Sequence, residues 1–192
     1  MSIDNTRESI LNVANKLFSR FGFYKTSMDE IAKIARKAKG SLYYHFSSKE
    51  ELFKEVVSLE IENLKNQLNI IVNNTELSSS EKIKQYFIKR MDVLNTSTNY
   101  QETLKADFYE QFHFIDELRS EFEIWEKEKL KTIIINGVEK GEFSPINDMD
   151  VLLDMFIMVF NGLEIPFFLQ DKYKNYSPYF ENLIGILTKG LS

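Results

Sequence analysis

Apolar residues recur along this chain at steps of three and four. Ile10, Val13, Ala14, Leu17, Phe18 and Phe21 place one buried stripe on a helix from about Asp4 to Phe21, and Gly22 ends it. Ser27 precedes Met28, Asp29 and Glu30, and Ser27 with Glu30 has the spacing of a capping box. Met28, Ile31, Ala32 and Ala35 give a second helix about two turns before Arg36 and Lys37. A third short helix covers Lys39 to His45, with Leu42 and Phe46 as inward anchors. Ser47 or Ser48 caps a fourth helix whose apolar period, from Leu52 to Val72, persists to about Asn73. The polar stretch from Asn73 to Ser80 is a loop, and Ser78 with Glu81 restarts a helix through Ile83, Phe87, Met91 and Leu94. Further on, the pattern predicts helices from Tyr100 to Phe114, from Asp116 to Lys140 before Gly141, and from Asp150 to Gln170. A last helix, started by Pro178, reaches about Leu191. The reading is all-α: about nine helices, no strand and no internal repeat.

Composition agrees. Seven glycines and three prolines are too few for the many turns of a β-sandwich. A length of 192 residues suits one domain or two small ones sharing a core. The chain has no cysteine, which excludes disulfides, thiolate metal sites and a thiol nucleophile. The beginning, MSIDNTRES, is charged and has no apolar core of a secretory signal, so a cytoplasmic location is expected. The apolar segment from Val151 to Leu169 is interrupted by Asp154, Asn161, Glu164 and Pro166, which are expensive in lipid. It reads as a helix covered by its own domain on one side and a partner subunit on the other, not as a membrane span.

Charge divides the chain. Residues 1–49 carry nine Lys/Arg against four Asp/Glu, whereas the whole chain has a net charge of −5. A basic head on an acidic body suggests a polyanion-facing end. Two short helices joined by a tight turn, at residues 27–46, have the size of a helix-turn-helix. The second is rich in groups that contact phosphate: Lys39, Ser41, Tyr43, Tyr44 and His45, with Lys49 just beyond. Gly40 lets its start approach a groove closely. On a small domain Tyr43 and Tyr44 could equally be half-buried aromatics.

Residues 7–57 resemble the DNA-binding head of the TetR family of bacterial transcriptional regulators. The resemblance is carried by Phe18, Gly22-Phe23, Thr26-Ser27-Met28, Ile31-Ala32 and the run KGSLYYHFSSKEELF from Lys39 to Phe53. It implies a helix-turn-helix domain over residues 1–50 and a ligand-binding and dimerisation domain over residues 51–192. It implies DNA contacts from Thr26, Ser27, Lys39, Gly40, Ser41, Tyr43, Tyr44, His45 and Lys49. The turn departs from the family's Ala-Gly-Val-Ser, reading Ala35-Arg36-Lys37-Ala38. Arg36 stands where a glycine with positive φ is usual, a strain of about 1 kcal/mol, and Ala38 cannot cap the third helix. Arg36 and Lys37 add two charges beside the DNA. The stretch GVEKGEF, from Gly137 to Phe143, also matches the family.

The resemblance further implies an effector cavity in the body, with no metal and no other cofactor. Met91, Phe108, Phe112, Trp125, Phe156 and Phe160 are the candidates for a greasy pocket, although aromatics at helical spacing are more often plain core. Asp107, Glu110 or Glu164 could neutralise a cationic ligand. Glu110 and His113 have the Glu-x-x-His spacing of a carboxylate metal site but lack the second copy such sites need. The expectation is a homodimer that binds a pseudo-palindromic operator on double-stranded DNA and is released by a small apolar molecule. A rival reading, a helical lipid- or carboxylate-processing enzyme, is disfavoured because the chain has no cysteine, no G-x-S-x-G elbow, no P-loop and no paired-histidine motif. The remaining alternative is an interaction module that has lost DNA binding through its altered turn.

Overall fold

A computed structural model describes residues 3–105 and 113–191. Among them are nine α-helices and no strand. These are α1 (Ile3–Phe21), α2 (Met28–Ile34), α3 (Lys39–His45), α4 (Lys49–Val72), α5 (Ser79–Thr96), α6 (Thr98–Glu102), α7 (His113–Glu139), α8 (Met149–Glu164) and α9 (Tyr173–Lys189). A π-helical turn, Ile165–Leu169, continues α8. The chain forms two compact units: Met1–Glu62 with Ser97–Ile115, and Asn63–Thr96 with Asp116–Ser192.

In the first unit α1, α2 and α3 touch one another around an aromatic knot. Phe53 of α4 meets Phe18 and Phe23, each at 5.1 Å between ring centroids. Ile10, Ala14, Ile31, Leu42, Phe46 and Leu52 complete this core. Gly22 adopts φ +81, the left-handed conformation that ends α1. Side chains cap the helices as their spacing predicts. Ser27 Oγ accepts the Glu30 amide at 3.2 Å, and Ser48 Oγ accepts the Glu51 amide at 3.1 Å. The Glu51 carboxylate accepts both Ser47 N–H and O–H, which holds its carboxyl below the usual range.

Glu60 of α4 does the capping work at the start of α6. Its carboxylate accepts the Tyr100 amide at 2.7 Å and the Asn99 amide at 3.3 Å. The Asn99 side-chain amide reaches Glu60, Asn15 and Ser19 at 2.7, 2.7 and 2.9 Å. A carboxylate on α4 and two polar groups on α1 therefore fix α6, whose own cap residue, Ser97, makes no side-chain cap bond.

The second unit centres on Phe87 of α5, stacked on Phe160 of α8 at 3.6 Å. Phe180 of α9 meets Phe160 and Phe167 edge-on at 5.9 and 6.0 Å. Glu81 and Ser78 form a reciprocal capping box at the start of α5. Glu142 adds a further acceptor for the Ser79 amide, at 2.6 Å. That carboxylate is placed by the GVEKGEF stretch, where Gly141 adopts φ +73 and Phe143 folds back to bond the Gly137 carbonyl.

Three expected elements differ. The predicted helix from Tyr100 to Phe114 is interrupted: α6 stops at Glu102 and a turn follows at residues 103–105, while residues 106–112 of that stretch lie outside the described ones. The Thr103 hydroxyl donates to the Tyr100 carbonyl at 2.6 Å, and the Thr103 and Leu104 amides bond carbonyls three residues back. Such local bonds compete with helix propagation. Pro178 lies inside α9 rather than starting it. Tyr173 begins the helix, anchored on Phe167 and Phe168 at 5.6 and 5.9 Å and hydrogen-bonded to Asp92. The α ladder of α8 widens at Pro166, which has no N–H to donate, and the Gln170 amide bonds Ile165 five residues back.

Met149–Leu169 is, among the described residues, the one helix long and apolar enough to cross a membrane. The chain itself buries one face of α8: Leu153, Phe156, Ile157, Phe160 and Glu164. Val151, Met155, Met158 and Val159 on the other face are exposed.

Candidate nucleic-acid interface

The helix-turn-helix is built by inward anchors that leave one face free. Leu42 and Phe46 are fully buried, so α3 must present its other side to solvent. Tyr43 is 42 % exposed and Tyr44 76 %. Lys39 and Gly40 are exposed on the same short helix, and Ser41 and His45 are half-buried. Tyr44 meets the His45 ring edge-on at 5.2 Å. Ser27, at the start of α2, is exposed although its hydroxyl is engaged as a cap.

A shallow depression of about 420 Å³ joins these elements. Ser27, Lys39, Tyr43 and Lys49 line it, together with Tyr24, Lys25 and Asp29, which motif spacing alone did not single out. Tyr24 and Lys25 sit in the loop ahead of the cap and are exposed. Two aromatics, three lysines and a helix start on one surface are the components of backbone contact to nucleic acid.

Two expected contacts are placed differently. Thr26 is buried, 2 % exposed, and its hydroxyl donates to the Gly22 carbonyl at 2.9 Å. Thr26 thus braces the turn and does not present its hydroxyl to the surface. Lys49 is half-buried, with Nζ donating to the Phe23 carbonyl at 3.1 Å and lying 4.2 Å from that ring's centroid. The turn between α2 and α3 carries the strain its residues imply. Arg36 adopts φ +55, and Ala38 makes no side-chain cap bond. Arg36 points to solvent, and Lys37 Nζ reaches the Thr6 hydroxyl of α1 at 3.4 Å.

The effector-pocket candidates scatter. Met91, Phe156 and Phe160 are buried, the two phenylalanines beside Phe87. Trp125 is half-buried, stacked on Phe122 at 6.0 Å and covered by the ammonium groups of Lys65 and Lys129. Phe108 and Phe112 lie outside the described residues, as do Asp107 and Glu110. His113 is exposed at the start of α7, and no cluster of metal-ligating side chains occurs among the described residues.

The body instead holds a buried charge network. Arg90 of α5, fully buried, donates to Glu126 at 2.8 Å, to Glu164 at 3.0 Å and to Asn161 at 2.7 Å. Arg119 adds a second cation to Glu164 at 2.6 Å. Glu164, considered above as a counter-charge for a cationic ligand, is thus committed to two arginines. Burial pushes the Glu126 carboxyl up against the opposing pull of Arg90, and burial also raises the Tyr86 hydroxyl. Arg90 falls four residues after Tyr86 and three after Phe87, on the buried stripe of α5, and that position was the available signal. Asn161 connects the network to Glu123, at 2.7 Å, and so to an outward groove of about 610 Å³ between α7 and α8. Of the described pocket candidates, Met91, Trp125, Phe156 and Phe160 do not line that groove.

A three-helix head whose third helix is two turns long with a polar, exposed face has the build of a helix-turn-helix domain. Residues 10–56 match the family model for bacterial regulatory proteins of the tetR family. The HTH-type transcriptional regulator QacR of Staphylococcus aureus is 26 % identical over 165 residues, 83 % of this chain and 84 % of that one. The HTH-type transcriptional repressor KstR2 of Rhodococcus jostii is 29 % identical over 153 residues, 77 % of this chain and 71 % of its own. The crystal structure of a transcriptional regulator from Cytophaga hutchinsonii superposes with a TM-score of 0.72 at 25 % identity, covering 96 % of this chain and 97 % of the other. Residues 10–56 are thus a tetR-type helix-turn-helix head, and over most of its length the chain is similar to transcriptional regulators of that kind.

Proposed function

We propose that this protein is a cytoplasmic, ligand-responsive repressor that binds a pseudo-palindromic operator as a homodimer. Residues 1–50 form the DNA-binding domain, and residues 51–192 bind the effector and dimerise. The observation that carries the reading is the face of α3, where Lys39, Gly40, Tyr43 and Tyr44 stand exposed above buried Leu42 and Phe46. Ser27, Arg36, Lys37, Ser41 and His45 extend that face to the phosphates. One two-turn helix reads too few base pairs to be selective, whereas a two-fold dimer reads two half-sites of matching symmetry.

The exposed apolar faces of α8 and α9 support the pairing. Met155 and Met158 on α8, and Tyr179 and Ile186 on α9, are each more than half exposed. A small apolar molecule held among the aromatics of the body would act by binding the DNA-incompetent conformation more tightly. Linkage then requires effector and operator to weaken each other by the same factor.

Fluorescence anisotropy tests this reading. The protein is titrated against the DNA upstream of its own gene and against a scrambled duplex, each at two salt concentrations. Tight binding to the upstream DNA alone supports a sequence-specific, autoregulating factor. No binding to either duplex overturns the reading in favour of an interaction module.

A further inference from the structure

Asp29 and Lys39 lie ten residues apart, on different helices of the motif. The Lys39 ammonium meets both oxygens of the Asp29 carboxylate, Oδ1 at 2.7 Å and Oδ2 at 2.9 Å. The pairing raises the lysine above its ordinary value. Both side chains are more than half exposed, and exposed ion pairs contribute little to stability. The fold therefore does not need this pair. Both residues line the surface depression that holds Ser27, Tyr43 and Lys49, and Lys39 Nζ stands 5.9 Å from the Tyr43 ring centroid.

A carboxylate on a DNA-facing surface is repelled by phosphates and finds donors only on the bases. In the major groove those donors are the N4 amino group of cytosine and the N6 amino group of adenine. A lysine seeks acceptors, best supplied by O6 and N7 of guanine. In a G·C pair, O6 and N4 stand side by side at about 2.9 Å, because they hydrogen-bond to each other. The Asp29–Lys39 pair offers the complementary donor and acceptor at the same spacing.

We propose that Asp29 and Lys39 read one G·C base pair as a unit, Lys39 donating to guanine and Asp29 accepting from the cytosine amino group. The inference rests on the DNA-binding reading above. An inverted pair sets ammonium against amino group and carboxylate against O6. A thymine–adenine pair keeps the order of acceptor and donor but supplies O4 alone, with the thymine methyl beside it in place of N7. The unit therefore distinguishes both base identity and strand.

The test uses the full chain and an operator selected from random duplexes. Every base pair of one half-site is exchanged in turn, and affinities are measured for the wild type, Asp29→Ala and Asp29→Asn. Circular dichroism melts confirm that the variants fold. We expect one G·C pair whose inversion costs the wild type about tenfold or more. Asp29→Ala collapses that preference to about twofold, leaves the other positions unchanged and binds all duplexes somewhat more tightly, having lost a negative charge. Asp29→Asn, which keeps an acceptor oxygen, falls between. An unchanged preference profile in Asp29→Ala, with affinity raised uniformly, overturns this inference and leaves the function standing. A wild type that selects no sequence overturns both.

Discussion

Two backbone positions carry opposite predictions. Arg36 holds φ +55 without being a glycine, a strain of about 1 kcal/mol. Arg36→Gly should raise the melting temperature by roughly 2–4 °C, while removing one charge from the DNA-facing side and weakening non-specific binding. Gly137 is the reverse case. A β-carbon there would overlap the Phe143 ring and lie 2.9 Å from the Ser79 β-carbon. Gly137→Ala should cost about 1–3 kcal/mol in a denaturant titration, as overpacking does. The strain at Arg36 was legible in the sequence, because a motif with a known turn exposes its own departures. The role of Gly137 was only half legible: the GVEKGEF stretch stood out, but not its clash with Ser79, 58 residues earlier in the chain. Sequence leaves Thr26 open, because a threonine beside a cap serves equally as a surface donor or as a brace; its burial and its bond to the Gly22 carbonyl make it a brace of the turn.

Among the elements, caps and periods were read well where partners lie within four residues. Ser27 with Glu30, Ser48 with Glu51 and Ser78 with Glu81 all cap as spaced. What failed were decisions made by distant groups. The start of α6 depends on Glu60, about forty residues away, and the start of α9 on Tyr173 meeting Asp92 and the aromatics of the π-turn. Glu60 has a consequence for pH. Desolvation raises its carboxyl above the ordinary value of 4.5 despite the amides of Tyr100 and Asn99, and Glu126 is raised likewise. The native state then holds more protons than the unfolded chain just above pH 4.5, and stability falls as pH rises through the folded values. Glu51, Glu81 and Asp150 are lowered, so their contributions are lost as pH falls below the ordinary range. Urea midpoints measured across this window should decline with rising pH, and Glu60→Gln should flatten part of that decline.

For the whole molecule, the prediction concerns assembly. Met158 on α8 is 72 % exposed and Ile186 on α9 is 69 % exposed. If these faces join two copies, Met158→Asp or Ile186→Asp should shift sedimentation from dimer to monomer with helix content unchanged. Operator affinity should then fall more than a hundredfold, because each monomer offers only one recognition helix. A dimer that survives both substitutions would place the contact elsewhere. The helical class, the basic head and the recognition run were legible in composition and motif. The charge network of Arg90, Glu126 and Glu164 was legible only in the place of Arg90 on the buried stripe of α5, since its members come from three helices and no spacing along the chain joins them.

Trp125 gives the protein a built-in optical label. It is the chain's only tryptophan, and it stands in the second unit under the ammonium groups of Lys65 and Lys129. Emission excited at the red edge of absorption therefore comes from the body alone, and the head is dark. Far-ultraviolet dichroism sees the helices of both. Denaturation followed by the two signals together would show directly whether head and body melt as one cooperative block or in succession, with no label added and no residue changed.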